Sequence, residues 1–226
     1  MAIVHSVDAK TMSQVEALAL EKMASYSGCH DHFHIMRVMN NAKLIMNRLA
    51  EYVEDEMDES VVSLICLLHD VGDRKLINQP EDDYSIAEGI MAQCRIEKDT
   101  QQKVLDNMKK LGFASDNGKM ENWEGMIAQD ADRLDALGAI GIARCFAYGG
   151  MKHRPLWNPD QVPADLSNKE DYKNHHDGNS LNHFYEKLFL LKDMMNTEAG
   201  AEIALERHRY MMEYVERFKG EFFGEK

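Results

Sequence analysis

The chain has 226 residues, enough for one ordinary domain or at most two small ones. Its 26 Lys+Arg against 39 Asp+Glu give a formal charge of −13, which argues against a duplex-DNA or anionic-membrane binder, since both need a basic face to displace counterions. A hydrophobic fraction of 44% suffices for a core, and 4 prolines with 16 methionines favour helices over a turn-rich β-sandwich.

The periodicity is helical almost throughout. Thr11-Met-Ser-Gln14 resembles a capping box, with Val15, Leu18 and Met23 on a first helix that reaches about Ser25. From His30 a longer helix carries Ile35, Val38, Met39, Ala42, Ile45, Met46 and Leu49 at three- and four-residue spacing. Glu51 to Glu59 reads as an acidic connector. Val61, Val62, Leu64, Ile65, Leu67 and Leu68 are apolar nearly all round, the mark of a central buried helix, which ends at His69-Asp70 with Gly72 as breaker. Helices follow around Tyr84–Cys94 and Lys98–Leu111, then a polar loop and a helix from about Asn122 to Tyr148.

Gly149 to Ser180 contains Pro155, Pro159 and Pro163, along with Trp157, and shows little periodicity. At that length it reads as a functional loop or lid rather than a linker. The chain closes with helices near Leu181–Met195 and Thr197–Phe223, the last with Ala201, Ile203, Ala204, His208, Met211, Met212 and Val215 along one side. Without a repeat or a composition shift, the expectation is one all-α domain over 1–226. Its core runs over about 30–148, the loop or lid over about 149–180, and the C-terminal helices over about 181–223.

The first residues have no basic stretch and no continuous apolar run, and Val61 to Leu68 is far too short to cross a bilayer, so a cytoplasmic protein is expected. Cys29, Cys66, Cys94 and Cys145 form no C-x-x-C pair and read as buried reduced thiols.

The chemistry is concentrated in three places. His69-Asp70 closes the buried helix, where an ionised carboxylate is expensive unless something cationic compensates it. A helix C-terminus in which His69 meets the dipole and Asp70 begins a turn is the bland account. His30-Asp31-His32-Phe33-His34 opens the preceding helix, with His30 and His34 on one face. Asp130, Asp132 and Asp135 lie in a helix of small apolar residues, where acids are out of place unless they face a site. Histidine, a His-Asp pair and an aspartate on three helices can enclose one octahedral divalent ion.

These residues resemble the metal-dependent phosphohydrolases of the HD superfamily, defined by the order H…HD…D. The first histidine is His34, in His-Ile-Met-Arg37-Val38; the pair is His69-Asp70; the last ligand is Asp132, in Ala-Asp-Arg-Leu. Asp130 to Arg144, Tyr148-Gly-Gly and Asn182 to Leu188 resemble a bacterial single-domain subgroup more closely. The resemblance covers about His30 to the C-terminal helix and implies the helical HD-domain fold. It also implies cleavage of nucleoside triphosphates to the monophosphate and pyrophosphate.

On that resemblance His34, His69, Asp70 and Asp132 are metal ligands, and Asp73, three residues after Asp70, joins Asp70 as a catalytic group by orienting water. Asp73 equally suits a turn after Gly72. Lys75, Arg133, Arg144, Lys187, His30 and His183 are the expected contacts to a phosphorylated small molecule, a nucleotide. Arg74, Lys152 and Arg154 suit a solvated surface as well, as does His32. No histidine lies between Asp70 and Asp132, where dinuclear relatives carry extra ones, so a single ion is expected. The sequence does not choose among Mn²⁺, Mg²⁺, Co²⁺, Ni²⁺ and Fe²⁺. It also leaves the oligomeric state open, a homodimer included.

His30-Asp31-x-x-His34 also reads as a relative of H-E-x-x-H, but the acid is a methylene short and the other two clusters are left unexplained. A calcium loop from Asp130 fails, since its sixth and twelfth positions are Asp135 and Gly141. A mononuclear 5′-nucleotidase and a non-catalytic nucleotide-binding helical module are the alternatives that remain.

Overall fold

Aspartates begin four of the helices in the computed structural model, which describes residues 2–24, 31–50, 55–74, 79, 81–111, 120–164 and 178–226. Asp8 caps α1 (Ala9–Met23), Asp31 caps α2 (His32–Leu49), Asp58 caps α3 (Glu59–Leu68) and Asp83 caps α4 (Tyr84–Gln93). Each carboxylate accepts from backbone N–H groups of the first turn, which have no partner within the helix. The first cap differs from the expected capping box: Thr11 lies inside the helix and donates its hydroxyl to Asp8 Oδ2 at 2.7 Å. That bond and the backbone bonds hold the Asp8 carboxyl below its ordinary pKa.

The chain divides into two units, Met1–Asp132 and Arg133–Lys226. In the first, α3 is the centre, packed against α1, α2 and α5 (Lys98–Met108), with α4 beside α1 and α5. Every residue of α3 from Ser60 to Leu68 is buried, as its all-round apolar sequence predicts. Each such aliphatic side chain contributes roughly 1.5–3 kcal/mol on leaving water. The expected buried stripe of α2 is also present, with Ile35, Val38, Ala42, Ile45, Met46 and Leu49 inside. The all-α expectation needs one amendment. Residues Ala2–Val4 (β1) pair in parallel with Glu56–Asp58 (β2), in register Ala2 to Glu56, so the acidic connector ends in a strand that leads straight into α3.

The expected helix over Asn122–Tyr148 is two helices, α6 (Trp123–Asp135) and α7 (Gly138–Met151). The apolar spacing runs on through the break, which hides it, but Leu137 is extended and Gly138 has φ of +71°, a left-handed conformation natural to glycine. In the second unit, α7 packs against the long C-terminal helix α9 (Glu198–Phe222), which is capped by Thr197. The expected helix at Leu181–Met195 is a short α8 (Asn182–Glu186) followed by a 3₁₀ segment, Leu188–Met194. Met212, expected in the core, is 42% exposed, while Met211 is buried. An aromatic cluster of Phe146, Phe184, Tyr214 and Phe218 fills this unit, with Trp157 edge-on to Phe222 at 4.9 Å between ring centres.

The described part of the expected loop is tied down. Ser180 and Leu181 donate backbone N–H groups to the carbonyls of Pro155 and Leu156, and the Asn182 amide donates to Gln161 O at 2.9 Å. Residues 165–177 of that loop lie outside the described residues. Cys66 and Cys94 are buried as expected and Cys145 is half-buried, while Cys29 lies outside the described residues. Among the described residues, no helix is long and apolar enough to cross a membrane.

Candidate metal centre

Helices α2 and α3 bring His34, His69 and Asp70 together in the first unit, and α6 brings Asp132 close to both imidazoles. On α2 the Asp31 cap accepts from the His34 backbone N–H at 3.0 Å, which fixes the helix start and seats His34 within the first turn, fully buried. On α3 the last buried turn hands over to His69 and Asp70, with Asp70 only 5% exposed. Gly72 then reverses the chain at φ +88°, where a Cβ would stand 2.3 Å from the Asp83 carbonyl oxygen. Asp83 N–H donates to Gly72 O at 2.8 Å, and Arg74 N–H donates to Asp82 Oδ1 at 2.9 Å. The turn after the His-Asp pair is thereby fastened to the start of α4.

The donor atoms lie at spacings a divalent ion requires. His34 Nε2 is 3.2 Å from His69 Nε2, 3.3 Å from Asp70 Oδ2 and 3.5 Å from Asp132 Oδ1. His69 Nε2 is 3.5 Å from Asp70 Oδ2 and 3.7 Å from Asp132 Oδ1. Ligands at bonds of about 2.1 Å stand roughly 3.0 Å apart in an octahedron and 3.4 Å apart in a tetrahedron. His69 Nδ1 is 2.9 Å from the Cys66 carbonyl and donates to it, so Nε2 carries the lone pair that faces the cluster. Two imidazoles and two carboxylates form a mixed nitrogen and oxygen set suited to a divalent transition metal or magnesium. Burial, followed by the charge of Asp132, pushes the Cys66 thiol upward, which keeps it neutral beside this site.

The third cluster separates into three roles. Asp132 reaches the imidazoles with a side chain 36% exposed, Asp135 pairs with Arg144, and Asp130 is fully buried. Asn41 of α2, which the sequence reading passed over, donates its amide to Ala131 O at 3.0 Å, one residue before Asp132. Its signal is a polar residue on the apolar stripe of α2, seven positions after His34. Asp73 is half-buried, and its N–H donates to Asp70 O at 3.1 Å. Tyr84, beside it, is pushed up to about 12 by burial and then by the charges of Asp82 and Asp73.

His30 and Lys75 lie outside the described residues. Arg133 is buried and donates to the Met194 carbonyl, and Arg144 donates to the Asp135 carboxylate. Arg207, also passed over, donates to Leu134 O at 2.6 Å, and burial lowers its pKa. These guanidinium groups sit at the second unit's share of the α6 C-terminus, where cations meet unsatisfied carbonyls. His183 Nδ1 is 4.0 Å from Glu186 Oε2, and Lys187 is half-buried at the joint between α8 and the 3₁₀ segment. His32 is exposed, with its ring tilted against that of Phe33 at 3.8 Å between centres, a surface role away from the cluster.

Comparison with known proteins matches a family model to the span that contains these residues. The HD domain model matches residues 32–137. The uncharacterised protein YpgQ of Bacillus subtilis is 30% identical over 221 residues, covering 95% of each chain. The crystal structure of YpgQ in complex with ADP superposes with a TM-score of 0.71 at 30% identity, covering 94% of this chain and all of that one. An HD-superfamily hydrolase from Bacillus thuringiensis has a TM-score of 0.70 at 33% identity, covering 94% and 97%. A protein from Lactobacillus plantarum has a TM-score of 0.78 at 28% identity, covering 96% and 99%.

Proposed function

We propose a nucleotide-cleaving activity for this chain, which belongs to the HD superfamily of hydrolases: it converts a nucleoside triphosphate to the monophosphate and pyrophosphate with one divalent cation. The observation that carries this reading is the cluster of His34, His69 and Asp70, whose nitrogen and oxygen atoms lie 3.2 to 3.5 Å apart, with Asp132 Oδ1 3.5 Å and 3.7 Å from the two imidazoles. An ion of Mn²⁺, Mg²⁺, Co²⁺, Ni²⁺ or Fe²⁺ held by these residues would supply polarisation of a phosphoryl oxygen and activation of water near neutral pH. The protein's part is to hold two neutral imidazoles and two carboxylates so that the ion's charge is formally balanced. Asp73 is the group proposed to orient the water, since its backbone is fixed to Asp70 by the Gly72 turn. A phosphorylated nucleotide as substrate is supported by the ADP found in YpgQ.

Lys75 and His30 are proposed phosphate contacts on the sequence alone, and Lys187 and His183 on their segment's resemblance. Arg133 and Arg144 have the poorer claim, because their guanidinium groups already hold Met194 and Asp135. The test is a product-resolved screen of ribo- and deoxyribonucleotides with each metal, read by chromatography and ³¹P NMR. The expected result is monophosphate and pyrophosphate in equal amounts. Orthophosphate alone from monophosphates overturns the reading in favour of a 5′-nucleotidase. Nucleotide binding without turnover in metal-loaded protein overturns it in favour of a non-catalytic module.

A further inference from the structure

Asn41 is a polar side chain in an apolar setting. The face of α2 that carries His34 continues through Val38, Asn41, Ala42 and Ile45, all buried, and Asn41 itself is 7% exposed. Burying an amide without partners costs free energy that an apolar residue of the same volume avoids. Here the amide Nδ2 donates to Ala131 O at 3.0 Å, inside α6 and adjacent to Asp132. A carbonyl has two lone pairs, so this bond can add to the helix ladder without displacing it.

The placement of that bond matters more than its strength. His34 and Asn41 are seven residues apart on α2, about 10 Å along its axis. Their contacts on α6, Asp132 Oδ1 at 3.5 Å and Ala131 O at 3.0 Å, fall on neighbouring residues. Two contacts far apart on one helix and adjacent on the other fix where α6 stands against α2, and so where the Asp132 carboxylate projects. Asp132 has the most exposed side chain of the four and is the one whose helix must be brought in from a distant part of the sequence.

We propose that Asn41 is a positioning residue for the metal site: its amide holds the α6 backbone so that Asp132 completes the set begun by His34, His69 and Asp70. The proposal rests on the reading that these four residues bind a divalent ion. Removing groups that orient ligands typically costs 10–100-fold in metal affinity, so Asn41→Leu is expected to weaken Mn²⁺ binding about tenfold or more. Leucine keeps the branched shape of asparagine, though it is larger, and buries no polar atom of its own, so the metal-free protein should unfold at about the same urea concentration.

The experiment is Mn²⁺ titration followed by EPR and calorimetry on wild type, Asn41→Leu, Asp132→Ala and the double variant, with urea unfolding of each metal-free protein. If Asn41 acts through Asp132, adding Asn41→Leu to Asp132→Ala costs no further affinity, and Asn41→Gln, which keeps a donor, recovers part of the loss. Wild-type affinity in Asn41→Leu overturns the proposal. So does additive loss in the double variant, or a fall in affinity matched by a fall in metal-free stability. Should Asn41→Leu fail to fold, Asn41→Ala in both backgrounds carries the same comparison. A wild type that binds Mn²⁺ no better than Asp132→Ala removes the four-ligand reading itself, a different failure from the loss of Asn41's role alone.

Discussion

Two polar clusters lie near the C-terminal half of α6, one in each unit, and they are built on opposite principles. In the first unit, His34, His69 and Asp70 turn lone-pair atoms toward one another at 3.2 to 3.5 Å, and Asp132 stands 3.5 Å and 3.7 Å from the two imidazoles. In the second, Arg133, Arg144 and Arg207 direct guanidinium groups at the carbonyls of Met194 and Leu134 and at the carboxylate of Asp135. Donors facing acceptors make the second cluster a structural fastening. Acceptors facing acceptors make the first a cluster in need of a cation, and such an arrangement serves binding rather than folding.

The largest expected effect tests the first half of that contrast. His34→Ala, His69→Ala, Asp70→Ala and Asp132→Ala should each reduce the proposed metal-dependent nucleotide hydrolysis to the assay background, since each removes a proposed ligand of the ion. Chelation of wild type should do the same, with recovery on adding back metal. Near-normal turnover in any two of the four variants breaks the comparison.

Stability is where the clusters should diverge most plainly. Arg144→Ala removes one guanidinium from Asp135, which is 1% exposed and also feels the charge of Arg207, and is expected to destabilise the protein by about 2 kcal/mol, read from urea unfolding. Asp132→Ala removes a carboxylate from a set of acceptors, and the metal-free protein should change by no more than about 0.5 kcal/mol. Equal losses in the two would make both clusters structural. Gly72→Ala comes next. A positive φ and a Cβ 2.3 Å from the Asp83 carbonyl put its cost at roughly 1–3 kcal/mol, and turnover should fall as Asp73 and Asp70 shift. Unchanged stability and rate there would show that the turn tolerates rearrangement.

Much of the first cluster could be read from the amino-acid order. An apolar run on all sides of Val61–Leu68 ending in His-Asp is unusual enough to mark both the central helix and its chemistry. Asp132 stood out because acids among small apolar residues demand a reason, and its carboxylate lies close to both imidazoles. The second cluster was harder to read. Arg133 and Arg144 stand in segments that resemble a nucleotide-cleaving subgroup, and spacing cannot say whether a guanidinium meets a phosphate or a backbone carbonyl. The break at Ala136–Leu137 was hidden because apolar spacing runs through it, and only the backbone angle of Gly138 declares it. Asn41 was overlooked for a related reason: a single polar residue on a helical stripe says nothing about its partner ninety residues later.

The smallest effect concerns how each unit keeps an imidazole in place. His69 does so by donating Nδ1 to a carbonyl, leaving Nε2 to face the cluster. His208 in the second unit packs edge-on against Phe189 at 5.0 Å, and burial, followed by the charge of Lys192, lowers its pKa below the ordinary 6.5. A folded pKa below the unfolded one means the stabilisation is fully present above about pH 6.5 and is lost as pH falls through that value toward the folded one. His208 is partly exposed, so solvent screening should hold the effect under about 1 kcal/mol. The check is urea unfolding at pH 7.5 and pH 5 for wild type and His208→Gln, with the imidazole protons followed by NMR. The variant should lose part of the acid sensitivity while keeping full Mn²⁺ affinity, because His208 belongs to the fastening of its own unit. A variant with lowered Mn²⁺ affinity at neutral pH would mean that the two clusters are less independent than their opposite chemistries imply.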